Sequence, residues 1–225
     1  MKASTLALIN EVEKLIYAHA SRNDATAMAA YMKNLFPFAG IKKPKREIIL
    51  KEHNKQLLNC SEELPQIAEY FWNKPEREFQ YIALKLLEKS AKKLRTEDIK
   101  WIEKLIVSKS WWDTVDALAA NVAGTLLLKD DKAMVYYSNK WNASDNMWLN
   151  RTAILIHLSY KQKTNTIILA STIEKHIHSN EFFIKKAIGW VLRQYSKTNP
   201  EWVKQFVKSH PNLKPLSVRE ATKYI

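Results

Sequence analysis

The segment FQYIALKLLEK has three counterparts further along the chain, TVDALAANVAG, LNRTAILIHLS and FIKKAIGWVLR. Aligning them puts Ala83, Leu118, Ala153 and Ala187 in one register at steps of 35, 35 and 34 residues. A period of that length belongs to helix-pair repeats, in which each hairpin buries its apolar face only by stacking on the next. The expected fold is therefore all-α: a curved α-solenoid of stacked antiparallel helix pairs with a concave surface, in one domain over residues 1–225.

Local signals agree with this reading. Apolar residues recur at spacings of three and four, and no pair of alternating runs flanks an Asn-Gly or Asp-Gly turn. Pro44, Pro75, Thr96, Ser110, Ser144 and Pro200 mark helix starts, and the lysines near Lys93, Lys129 and Lys163 suit helix ends. Helices are predicted over spans that include 44–60, 110–128, 145–161 and 181–197. The chain has only three glycines, Gly40, Gly124 and Gly189. Neither a phosphate-binding P-loop nor a dinucleotide turn can be built from them, so no nucleotide cofactor is expected.

Charge selects the partner class. Lysine and arginine number 36 against 23 acidic residues, a net charge of +13, which favours a polyanion. The basic residues are scattered through helical segments and do not form a block beside an apolar anchor, which points to nucleic acid and not to a membrane surface. The start, MKASTLALINEVEKL, lacks the pattern of a signal peptide, and no run approaches the roughly 18 apolar residues of a membrane span. A cytoplasmic protein is expected. Cys60 is the one cysteine, so an internal disulfide and a multi-cysteine zinc site are excluded. His176 and His178 are the only close histidines, and two residues apart on a helix they point away from each other, so no metal site is expected.

Two residues before each repeat anchor stand Tyr81, Asp116, Arg151 and Lys185, a track along the flank of the apolar stripe. Asp116 lies in KSWWDTVDALAANV. Here Ser110 and Asp113 have the spacing of a capping box, and Trp111, Val115, Leu118 and Val122 follow a core stripe. Neither pattern accounts for Trp112 and Asp116, four residues apart on one flank. An aromatic face beside a carboxylate stabilises positive charge on a base or sugar. The same pair also suits a surface tryptophan covering a neighbouring helix and an aspartate favoured by the helix dipole.

Longer stretches separate these readings. KLIVSKSWWDTVD (104–116), KWNASDNMWLNRTAIL (140–155), EFFIKKAIGWVLRQYSKTNP (181–200), PLSVREATKYI (215–225) and MAAYMKNLFPFAGIKKPKR (28–46) resemble the AlkD family of bacterial DNA alkylation repair glycosylases. The resemblance implies HEAT-like helix pairs holding duplex DNA in a basic groove. Trp112, Asp116 and Trp190 match the catalytic trio; the assignment of Trp190 rests on the resemblance alone. Arg151 and Arg193 match positions that support the site or hold the DNA backbone, and Lys185, Lys42 and Lys43 complete the expected DNA contacts. Lys42 stands where the family is expected to have glutamine, and Ser159 where it is expected to have lysine.

The implied activity is that of a monomeric, monofunctional glycosylase. It would hydrolyse the N-glycosidic bond of N7-alkylguanine and N3-alkyladenine in duplex DNA, without enclosing a flipped base and without metal or cofactor. A non-catalytic DNA-binding paralogue of the same fold is the alternative, and a protein-binding α-solenoid scaffold the third reading.

Overall fold

The computed structural model describes residues 1–225, and every regular element in it is helical. No helix is long and apolar enough to cross a membrane. Packing divides the chain into two compact units, Met1–Ser90 and Ala91–Ile225.

The first unit contains α1 (Ala3–Ala18), α2 (Arg22–Tyr31), α3 (Lys43–Ile49), α4 (Lys51–Asn59), α5 (Leu64–Asn73) and α6 (Arg77–Ser90). The helix predicted over 44–60 is thus divided. Leu50 leaves helical geometry at ψ 8° while its side chain is fully buried, so burial of this residue prevails over a continuous helix. The loop before α3 is organised from below by Glu78, a fully buried carboxylate that accepts hydrogen bonds from the amides of Ala39, Gly40 and Ile41 at 2.8–3.0 Å. Gly40 has φ +91°, and a Cβ there would lie 2.0 Å from the Ser21 carbonyl oxygen, so only glycine fits. This turn presents Lys42 and Lys43 at the exposed start of α3, where Lys42 pairs with Asp24 at 2.7 Å.

The second unit contains α7 (Ile99–Ile106), α8 (Trp112–Ala117), α9 (Gly124–Leu127), α10 (Asp131–Asn142), α11 (Met147–Leu155), α12 (Thr166–Lys175), α13 (Phe182–Ser196), α14 (Pro200–Ser209) and α15 (Pro215–Ala221). Its long-range polar contacts keep the period read from the sequence. Lys129 meets the Leu94 carbonyl 35 residues away, Lys140 meets Glu103 at 37, Arg151 meets Asp116 at 35, Tyr160 meets the Gly124 carbonyl at 36, and Lys186 meets Glu220 at 34. Each step joins equivalent positions of successive repeats, as expected when every pair buries its apolar stripe on a neighbour. The anchors Leu118, Ala153 and Ala187 are fully buried here, as Ala83 is in the first unit. Ile154, Leu155, Leu169, Ile173, Leu192 and Val203 fill the core between α11, α12, α13 and α14.

Two local expectations are corrected. The helix predicted over 110–128 begins at Trp112 and contains a π-helical stretch over Leu118–Ala123 between α8 and α9. The expected capping box is absent. Trp111, in extended geometry, is the N-cap residue and makes no side-chain cap, while the Ser110 hydroxyl turns back to donate to the Ile106 carbonyl at 2.6 Å. That bond takes Ser110 away from the helix start.

Candidate active site

The site is built on facing helices of the second unit. Val115, Leu118 and Val122 are fully buried, which turns the opposite flank of α8, bearing Trp112, Asp113 and Asp116, outward. These three residues line a hollow of about 390 Å³, together with Ala117, Ala120, Asn121, Leu158, Ser159, Trp190 and Gln194. A second hollow, of about 250 Å³, is lined by Trp112, Arg151, Phe182, Phe183, Lys186, Trp190, Arg193 and Glu220. Trp112 and Trp190 therefore belong to both, and both hollows open to solvent. Since a cavity of roughly 150 Å³ already holds a benzene ring, the larger hollow has room for a purine.

Asp116 is held by one partner. Arg151 donates through Nε to Asp116 Oδ1 at 2.6 Å and through Nη2 to Oδ2 at 2.7 Å. Its Nη1 donates to the Phe183 carbonyl, and the guanidinium stands 5.6 Å from the Phe183 ring centre. Both carboxylate oxygens accept hydrogen bonds from the guanidinium, an arrangement that favours the ionised acid. Burial pushes the Asp116 carboxyl above the ordinary aspartate value, the guanidinium opposes that rise, and the nearby Asp113 charge adds to it. The result is a carboxylate kept charged by a fixed cation at the edge of an apolar wall, its position set by a two-point fork.

Behind Arg151 stands an aromatic cluster. Trp111 lies 5.7 Å from Trp148 and 5.1 Å from Phe183, and Trp148 lies 5.0 Å from Phe183. Trp111 was expected on the core stripe of a continuous helix. As the N-cap residue it stays half-buried and packs sideways on this cluster, backing Phe183 and so the carbonyl that Arg151 holds.

The predicted residues fall into three groups. Trp112, Asp116 and Trp190 converge on the larger hollow. Arg151, matched by the resemblance to a position that supports the site or holds the DNA backbone, is 4% exposed and gives two of its donors to Asp116. Arg193 lines the smaller hollow and donates to Glu220 at 2.6 Å. Lys185 is half-buried outside both linings, its carbonyl accepting from the Ser217 hydroxyl at 2.9 Å, and the next residue, Lys186, lines the smaller hollow. Lys42 and Lys43 belong to the first unit.

Sequence reasoning missed Lys186, Glu220 and Phe183, and gave Asp113 a cap's role although it lines the hollow. Signals existed for two of them. Asp113 and Asp116 are three apart, hence on one helix face, and Glu220 stands one repeat step, 34 residues, beyond Lys186. No three His, Cys, Asp or Glu side chains come together in a group able to hold a metal ion.

The family model for DNA alkylation repair enzymes matches residues 12–225. A solved structure, that of a predicted DNA alkylation repair enzyme from Enterococcus faecalis, is 36% identical to the chain, with a TM-score of 0.85 over 92% of this chain and 96% of that one. No curated protein matches. A family match that spans both units and the whole of the site means that the chain belongs to the DNA alkylation repair enzymes, with DNA as its partner.

Proposed function

We infer that the chain is a monofunctional DNA glycosylase hydrolysing the N-glycosidic bond of cationic alkylated purines, N7-alkylguanine and N3-alkyladenine, in duplex DNA. The observation that carries this reading is the Asp116 carboxylate, fixed by the Arg151 fork beside a hollow walled by Trp112 and Trp190.

The chemistry suits what these side chains offer. A purine alkylated at N7 or N3 already carries positive charge, so when the C1′–N bond breaks the base leaves neutral and needs no strong acid. Positive charge then develops on the deoxyribose, and Asp116 stabilises it while orienting the water that adds at C1′. That water loses its proton to solvent, leaving an abasic site. Trp112 and Trp190 present π faces to the cationic base and sugar, each worth about 0.5–2 kcal/mol where water is excluded. No lysine lines the hollow that contains Asp116, so a Schiff-base step has no nucleophile there. The openness of both hollows supports excision without enclosing a flipped base, which leaves room for bulky adducts.

The test is direct. Duplex DNA treated with a methylating agent is incubated with the protein, and released bases are measured by mass spectrometry. Release of 7-methylguanine and 3-methyladenine is expected, with Asp116→Asn slower by about 10²-fold or more, as for the loss of one preorganised electrostatic group. Duplex binding without base release would overturn the reading in favour of a non-catalytic DNA-binding role, and a wild-type rate in Asp116→Asn would remove that residue from the mechanism.

A further inference from the structure

Glu220 is the one acidic residue lining the smaller hollow, where it stands with Arg151, Lys186, Arg193 and aromatic side chains, on a protein of net charge +13. Its two oxygens are used separately: Oε1 accepts from Lys186 Nζ at 2.7 Å and Oε2 from Arg193 Nη1 at 2.6 Å. The carboxylate is the more enclosed of the three groups, its side chain 17% exposed against 39% for Lys186 and 23% for Arg193. It therefore stands behind the cations. Arg193 spends one of its five N–H donors on it, and Lys186 one of its three, so both keep donors for a ligand in the hollow.

The fold is shaped to bring this carboxylate in. Glu220 rides on α15, which packs against α13, the helix of Lys186, Trp190 and Arg193. Gly189 makes the approach possible: a Cβ there would lie 2.5 Å from the Glu220 Cβ and 3.0 Å from the Ser217 carbonyl oxygen. Ser217 fixes the same crossing by donating to the Lys185 carbonyl at 2.9 Å. Long cationic side chains lose considerable rotamer freedom when they grip a ligand, and a carboxylate that bridges two of them removes that freedom in advance.

We propose that Lys186 and Arg193 form a seat for one backbone phosphate of the DNA beside the Trp112–Trp190 wall, and that Glu220 is its positioning residue, holding the two cations apart at the spacing the phosphate oxygens require. The proposal rests on the reading of the site as one that takes duplex DNA. A phosphate bound there pins the strand next to the nucleotide whose base and sugar face Asp116, so the seat sets the register in which the lesion meets the carboxylate.

The sign of one substitution decides. Neutralising an acid close to DNA strengthens binding if only net charge matters, because repulsion is removed. A positioning role reverses that sign. With a fluorescent undamaged duplex followed by anisotropy, Glu220→Gln is expected to bind about tenfold more weakly at equal salt, from two side chains set loose. The log–log salt dependence should become shallower by about 0.9, one phosphate contact. On methylated duplex the loss should be larger in KM than in kcat. In a Lys186→Gln, Arg193→Gln background, Glu220→Gln should change the affinity no further, whereas a residue that only supports α15 would still weaken it. Thermal melts of the same variants separate a loss of fold from a loss of seat, and Glu220→Asp, which reaches only one cation, provides a second allele with an intermediate effect.

Binding by Glu220→Gln that is equal to or tighter than that of the unchanged protein overturns the proposal while leaving the glycosylase reading intact. Failure of the unchanged protein to bind duplex overturns both. Duplex binding without base release overturns the glycosylase reading alone.

Discussion

Arg151 illustrates how burial decides what a charged residue does. With its side chain almost wholly enclosed, its guanidinium has traded water for the two Asp116 oxygens and the Phe183 carbonyl. Removing it leaves a buried carboxylate without its compensating charge, so the Asp116 proton affinity, already raised by burial, rises further. Arg151→Ala is therefore expected to slow base excision at neutral pH and to move the acid limb of the pH–rate profile upward, because excision needs the ionised form and is lost as pH falls through the Asp116 pKa. Arg151→Lys should restore little of the rate, since an ammonium cannot make the two-point fork. The salt dependence of duplex binding should stay unchanged in both variants, and a shallower slope would mean that Arg151 reaches a phosphate after all. Pre-steady-state rates at several pH values, with anisotropy on the same samples, measure all three.

At the scale of elements, the turn that closes α11 carries its own pH dependence. His157, in the 3₁₀ segment Ile156–Ser159, is fully enclosed, its ring edge-on to Tyr160 with centroids 5.3 Å apart. Neither ring nitrogen has a hydrogen-bond partner, and burial lowers its pKa from 6.5 to about 4. The folded value lies below the unfolded one, so the unfolded chain binds the extra proton. Stability is then complete above pH 6.5 and is lost as pH falls from there towards 4. Between pH 7 and pH 5 the loss from this group is about 2 kcal/mol. Urea titrations at the two pH values should show it, and His157→Leu should flatten this part of the dependence; an equal acid loss in the variant would assign the effect to other groups. A neighbouring element has a related economy of parts: the Tyr160 hydroxyl donates to the Gly124 carbonyl at 2.8 Å, tying this turn to the end of the π-helical stretch after Asp116.

For the molecule as a whole, the governing quantity is the net charge of +13, carried by a chain whose key carboxylate is already neutralised by its own arginine. Attraction to DNA then rests on the remaining cations and on phosphate contacts, which carry no information about the lesion. Undamaged and methylated duplex are expected to bind within a few-fold of each other, with affinity falling steeply as salt rises, by about 0.9 log units per log unit of salt for each phosphate contact. Anisotropy titrations of both duplexes over a salt series check this. A methylated duplex bound far more tightly, with the same slope, would show that lesion recognition occurs in the binding step and not in the chemical one.

Much of this protein was decided by local order along the chain. Apolar spacing of three and four, the 35-residue step and the scarcity of glycine are properties of neighbouring residues, and they specify helices that must stack, because a helix hairpin has no other way to cover its stripe. The same step puts Asp116 and Arg151 in one register, and the hydrogen-bonded fork joins those two positions. What the sequence could not decide is how each polar group is satisfied once packed. Ser110 donates to the Ile106 carbonyl and caps no helix, Trp111 leaves its stripe for Trp148 and Phe183, and Arg151 turns inward to Asp116. Lys186 meets Glu220 where α15 crosses close to Gly189. These outcomes depend on which surfaces meet across the 30 or more residues between partners, and on the cost of leaving a buried charge unpaired, and only the tertiary structure sets both.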